Sequence, residues 1–229
     1  EALNDLEQTG RSMAPSVFFL DPYGFKLPMD MLQRIIAHQQ SELLITFMVR
    51  YIDLAIHNSL EEANMNQLFG DANWRTLCNI HEPDDRQGQM IRLFTEGLGC
   101  SHSSVLEMRG EHREHKYSLI HATNHRLGRE RMKEAMWKLT PGGSFAIYQS
   151  NDPRQLTLIT PEPELTPLEE ELVTTFLGRE VYYKEVHDWL LDLRWDYPHL
   201  HKVIRKLRVS GQIETSGYDG PFAFNKNPI

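Results

Sequence analysis

Ser16-Val-Phe-Phe-Leu-Asp-Pro-Tyr-Gly24 decides the fold. Four apolar residues in succession, Val17 to Leu20, read as a strand buried on both faces, and Asp21-Pro22 ends it abruptly. Pro28 stands where a helix can begin, and Leu32, Ile35 and Ile36 repeat at the i, i+3, i+4 spacing of an amphipathic helix. A second apolar run, Leu43-Leu-Ile-Thr-Phe-Met-Val49, reads as the next buried strand. Strand, helix, strand with short joints predicts a βαβ unit, hence a parallel sheet of the α/β class.

Outward from that unit the pattern weakens and then returns. Residues 51–85 form a long connection of poor periodicity. Ile91, Phe94 and Leu98 mark a helix that stops near Gly97 and Gly99. Ser103–Met108 and Tyr117–Ala122 read as two strands, joined by a polar turn short enough for an antiparallel hairpin. Met132, Ala135, Met136 and Leu139 give the apolar face of a further helix, stopped by Pro141-Gly-Gly. Pro161-Glu-Pro-Glu-Leu-Thr-Pro167 is the best linker, which places an α/β domain at 1–160 and a second domain at 161–229. The second domain has three helical patterns: Leu168, Leu172, Val173, Phe176; then Val186, Trp189, Leu190; then Leu200, Val203, Ile204, Leu207. Gln212 to Phe224 reads as two strands around a Gly-rich wing, so the domain is expected to be a winged helix.

Composition narrows the function classes. The 229 residues carry 24 Lys+Arg against 32 Asp+Glu, a formal net charge of -8, which excludes a protein held on nucleic acid by overall charge. No apolar run reaches the ~20 residues of a membrane span, and the N-terminus has no secretory signal, so a cytoplasmic protein without membrane contact is expected. Glu1 stands where a Met would begin a gene product, which points to a processed or truncated chain. Cys78 and Cys100 are expected to be reduced thiols, and the 11 histidines are scattered, so no metal site is expected.

Asp21, Pro22 and Tyr23 are the candidate catalytic residues. They stand at the C-terminal end of a parallel strand, where open α/β sheets bind ligands. The Asp21 carboxylate can accept hydrogen bonds from a substrate amine or hydroxyl, Pro22 stiffens the turn, and Tyr23 offers a ring for stacking. An ordinary strand exit, with Gly24 supplying a positive φ, is the competing reading. Asn124, His125, Arg126 and Arg129 follow the last strand, either as a rim for phosphate beside a helix N-terminus or as a cap followed by solvated arginines. The Phe69–Trp74 segment is either a substrate-shaping insert or a packed loop. On the third helix of the second domain, His199, His201, Lys202, Arg205, Lys206 and Arg208 are expected to face solvent opposite the apolar stripe. With Arg126 they are the candidate nucleic-acid contacts. A docking wing with an ordinary solvated basic face competes with that reading.

A parallel strand ending in Asp-Pro-Tyr, then helix, strand, helix and terminal antiparallel hairpin, resembles the second half of a class I S-adenosylmethionine-dependent methyltransferase sheet, a Rossmann-type fold. The four residues Asp21-Pro-Tyr-Gly24 resemble the Asp-Pro-Pro-Tyr type motif with which amino-methyltransferases grip the target amine. The chain is also similar to the three-Cys-motif partner (TcmP) family through Ala14-Pro-Ser-Val-Phe-Phe-Leu-Asp-Pro-Tyr-Gly-Phe25, Leu68-Phe-Gly-Asp-Ala-Asn-Trp74 and His121-Ala-Thr-Asn-His-Arg-Leu-Gly-Arg-Glu-Arg-Met-Lys-Glu-Ala-Met-Trp137, which span about residues 14–140. That resemblance implies S-adenosylmethionine as cofactor and a three-cysteine-motif protein, resembling radical S-adenosylmethionine enzymes, as partner. The Gly-rich loop that holds the cofactor in such proteins has no counterpart, since Gly10 is the only glycine before Gly24, so the cofactor-binding residues stay unknown. Either a first half-sheet precedes Glu1 in a longer protein, or this is a half-sheet without cofactor binding; a strand apolar on both faces favours the former. Two functions compete: a methyltransferase-like protein acting on or with nucleic acid, and a catalytically inactive adaptor that docks the three-cysteine-motif protein.

Overall fold

In a computed structural model that describes residues 13–149 and 162–214, the deciding stretch is strand β1 (Ser16–Leu20) and a turn at Gly24. Helix α1 (Met29–Ile36) follows Pro28 and buries Met29, Leu32, Ile35 and Ile36. Strand β2 (Ser41–Phe47) then returns parallel to β1, with Phe18 opposite Leu43 and Leu20 opposite Ile45. The strand stops two residues before the expected Val49. Val49, Ile52 and Ala55 form the buried stripe of a short helix, α2 (Val49–Ala55), and that burial outweighs extension of the strand.

The poorly periodic connection is helical. After α2 come a 3-10 turn (Ser59–Glu61), α3 (Glu62–Phe69) and a second 3-10 turn (Asn73–Asn79). The first buries no residue, α3 buries three and the second turn two, too few to stand out as a period. Phe69 and Trp74 are both buried, and the Trp74 indole donates to Asn66 Oδ1 at 2.8 Å, so this segment is a packed one. Helix α4 (Pro83–Gly97) carries Met90, Ile91 and Phe94 inward. The hairpin is β3 (His102–Arg109) and β4 (His115–Thr123), antiparallel as expected. A three-residue strand, β5 (Ala146–Tyr148), completes the sheet.

The described sheet is mixed, with order β1-β2-β4-β3-β5. β4 runs antiparallel to both β2 and β3, while β5 is parallel to β3. Leu43, Ile45, Phe47, Ile120 and Ala122 share one face and enter the core with Leu32, Ile52 and Phe94. The Phe47 and Phe94 rings are 4.5 Å apart. Full burial of each such side chain contributes about 1.5–3 kcal/mol. β1 does not meet the expectation of two covered faces. Phe18 and Leu20 pack against the core, but Val17 and Phe19 are 67% and 61% exposed. Among the described residues β1 is an edge strand, and nothing covers that face of it.

The chain divides into two units, one reaching Met132 and including Ser144–Leu158, the other comprising Lys133–Gly143 and the chain from Ile159. Helix α5 (Arg126–Leu139) begins in the first and ends in the second. Its buried face overlaps the expected one at Met136 and is turned from it elsewhere. Lys133, Met136 and Trp137 are buried, while Ala135 is exposed and Leu139 is 60% exposed. The Lys133 ammonium donates to the carbonyl of Leu190 at 2.7 Å, and the Trp137 indole donates to that of Arg194 at 2.8 Å. These bonds turn the helix, and the long Lys133 stem is buried with its tip satisfied.

The second unit holds α6 (Thr166–Phe176), α7 (Tyr183–Asp192) and α8 (Tyr197–Val209), the three helices expected. Leu168 and Leu172 of α6, Val186 and Leu190 of α7, and Leu200, Val203, Ile204 and Leu207 of α8 are buried. Thr166 already opens α6, with Pro167 in its first turn, so the end of the expected linker is helical. The expected wing falls mostly outside the described residues, and Gln212–Glu214 form no strand. Among the described residues no helix is long and apolar enough to cross a membrane.

Candidate functional site

At the exit of β1, Asp21 is exposed, Pro22 is half-buried and the Tyr23 ring is fully exposed. Neither Asp21 nor Tyr23 bonds to a described residue. Gly24 follows with φ 76°, a conformation that side chains rarely adopt, and a Cβ there would meet nothing within 4 Å. The turn thus needs glycine for its shape and not for close packing. It presents a carboxylate and a phenol ring to solvent at the C-terminal end of a parallel strand. Such a pair can accept a hydrogen bond from an amine and stack on the ring that bears it.

The structure does not bring the other rim candidates to this exit. Because β4 runs antiparallel, Thr123 lies opposite Glu42 at the start of β2, and Glu42 lies opposite Val17. Asn124, His125, Arg126 and Arg129 follow Thr123, about 13 Å along the strands from Asp21. They bond the protein itself. Asn124 accepts from the Ser101 N–H at 2.7 Å and donates to the Ile36 carbonyl at 2.8 Å. Thr123 Oγ1 accepts from the His125 N–H at 2.9 Å. Arg126 donates to Glu130 at 3.0 Å, and Arg129 to the Ser103 carbonyl at 2.7 Å and to Ser104 Oγ.

Sequence reading missed a part-buried polar pair at this second place. His121 Nε2 lies 2.9 Å from Glu42 Oε2, and the His121 side chain is 4% exposed. Its other ring nitrogen, Nδ1, is buried without a hydrogen-bond partner among the described residues. Gly128 makes room for the pair, since a Cβ there would lie 2.9 Å from Thr123 Oγ1 and closer still to the Glu42 carboxylate. A second missed pair is buried His115, 2.8 Å from Ser118 Oγ; burial holds the His115 pKa below its ordinary value. The register of β4 against β2 joins the first pair, and the register shift of β4 against Met108 and Arg109 lies beside the second.

On α8 the six expected contacts separate. His199 is half-buried between Trp137 at 4.2 Å and Trp195 at 5.8 Å, and its Nδ1 accepts from the Asp196 N–H at 3.2 Å. His201 shares a 2.6 Å hydrogen bond with the Tyr183 hydroxyl, whose pKa burial pushes up to about 12. Burial first, then nearby cations, lowers the pKa of both histidines, and each is half-buried with a hydrogen-bond partner inside the second unit. Lys202, Arg205 and Lys206 are exposed and Arg208 is half-buried. An open groove of ≈ 550 Å³ runs beside them, lined by His201, Lys202, Arg205, Lys206, Val209 and Ser210.

Among the described residues no three His, Cys, Asp or Glu side chains come together to hold a metal. Cys78 and Cys100 are free and half-buried, and burial raises the Cys100 pKa. The connection leaving β1 has one glycine, Gly24, and no atom within 4 Å of where its Cβ would stand. No step here runs through S-adenosylmethionine. No family model, no curated protein and no solved structure matches the chain.

Proposed function

We propose that this chain is a methyltransferase-like α/β protein that acts on or with nucleic acid, Asp21 accepting hydrogen bonds from the target amine and Tyr23 stacking on its ring. The observation that carries this reading is the bare exit of β1, with Asp21 and Tyr23 exposed and unbonded to described residues on a stiff Pro22-containing turn. The strand order β1-β2-β4-β3, with β4 alone reversed against β1, β2 and β3, supports it as the second half of a methyltransferase sheet. S-adenosylmethionine is the methyl donor of such proteins. The role assigned to this chain's residues is confined to holding the acceptor. In the second unit, α6 to α8 support a winged-helix reading in which Lys202, Arg205, Lys206 and Arg208 meet phosphates.

The test is the affinity of the whole chain for a labelled adenine-containing single strand. Loss of one stacked base is worth about 1–3 kcal/mol, so Tyr23→Ala should weaken binding by about 5- to 150-fold with an unchanged melting curve. Asp21→Ala should weaken it for adenine and not for a purine without the amine. Unchanged affinity in both variants would overturn the reading.

A second reading rests on Val17 and Phe19, exposed apolar side chains on the edge strand. They suit a protein surface, such as the three-cysteine-motif partner of an inactive adaptor. In that case Phe19→Lys abolishes co-elution with the partner and leaves oligonucleotide binding untouched.

A further inference from the structure

The cations of α8 are not equivalent. Lys206, 66% exposed at its side chain, is held by Glu169 of α6 at 2.5 Å. Glu169 is only 19% exposed and sits in the first turn of α6, where the helix dipole favours a negative charge with or without Lys206. Lys202 faces Glu162 at 3.8 Å, but that pair is loose, its side chains 57% and 82% exposed. Arg205 is exposed and has no ion-pair partner among the described residues.

We propose that Glu169 competes internally with the phosphate backbone for Lys206, so that a nucleic-acid duplex engages Arg205 and Lys202 first and gains Lys206 only when Glu169 releases it. This rests on the nucleic-acid reading of α8. Each cation that neutralises a phosphate releases condensed counterions and adds about 0.9 to the slope of log affinity against log salt. A lysine already neutralised by a carboxylate adds little. The pair is exposed on the lysine side, so its loss costs the fold little, and its attraction is of the size a phosphate can replace.

The experiment measures binding of the full chain to a short labelled duplex DNA across a salt series. Arg205→Ala should reduce the slope by about 0.9. Glu169→Gln, which keeps shape and removes charge, should raise the slope by a similar amount and tighten binding about two- to five-fold, the factor set by an exposed ion pair. In the Glu169→Gln background, Lys206→Gln should erase the gain. The double variant keeps the parent's net charge of -8, so a gain that survives there would come from lifting the Glu169 charge off other cations and would overturn the clamp. So would a Glu169→Gln variant with the parent's slope and affinity. Salt-independent or absent binding in the parent would instead overturn the reading of α8 as a phosphate surface. Melting curves of each variant verify that the fold is kept.

Discussion

Where β2 begins, Ser41, Glu42, His121 and Asn124 turn their polar atoms toward the protein; where β1 ends, Asp21 and Tyr23 turn theirs toward solvent. Ser41 donates to the His38 carbonyl at 2.7 Å, Glu42 meets His121 at 2.9 Å, and Asn124 ties α1 to the loop before β3 through two bonds. Unpaired buried polar groups are costly, so groups at the first place are committed to the fold. Groups at the second are available to a ligand. A polar cluster at a strand end is therefore not a site until its bonds have been counted.

The sharpest way to break this contrast is to attack the floor beneath the bare exit. Phe47 ends β2 on the core face and packs its ring, tilted by 35°, against Phe94. Phe47→Ala should destabilise the α/β unit by about 3–5 kcal/mol, read by denaturant unfolding. A loss under 1 kcal/mol, against about 3–5 expected, would mean that the exit is loose throughout and not merely at its surface. At the committed end, Asn124→Ala should cost about 1 kcal/mol by removing its bonds to the Ser101 N–H and the Ile36 carbonyl. Oligonucleotide affinity per folded molecule should stay put. A weakened affinity with full stability would move the ligand to the wrong end of the sheet for this account.

The smallest effect is a pH dependence. Burial lowers the pKa of His115 in the sheet and of His199 and His201 in α8 below the ordinary value of 6.5. The unfolded chain takes up these protons at about 6.5 and the folded chain only at lower pH, so stability falls as pH drops below about 6.5. Melting temperature should decline over that window, and His115→Gln and His201→Gln should each flatten the decline. A melting temperature that rises on acidification would contradict the burial of these rings.

What was legible in the sequence follows from periodicity. Leu200, Val203, Ile204 and Leu207 span two turns of one helix and are buried together. The βαβ unit was legible because its strands are continuous apolar runs flanked by Pro28 and Gly24. β5 was not, since three residues carry no alternation. On α5 the apolar count was right for Met136 and missed Lys133, which is buried by its stem and bonded at its tip. The Glu42–His121 pair was out of reach for another reason. Its members lie 79 residues apart, and only the register of β2 with β4 joins them. Of the candidate site, Asp21 and Tyr23 were placed by the strand that precedes them, whereas the inward turn of His199 depends on Trp137 and Trp195.

The central claim is that the exit of β1 holds a base by stacking it on Tyr23. Its most direct test is the fluorescence of a single strand carrying 2-aminopurine, titrated with the whole chain. Stacking on Tyr23 predicts quenching that saturates with binding and disappears in Tyr23→Ala, while Asn124→Ala retains it. Quenching of the same depth in Tyr23→Ala, or binding with no quenching at all, would contradict the account.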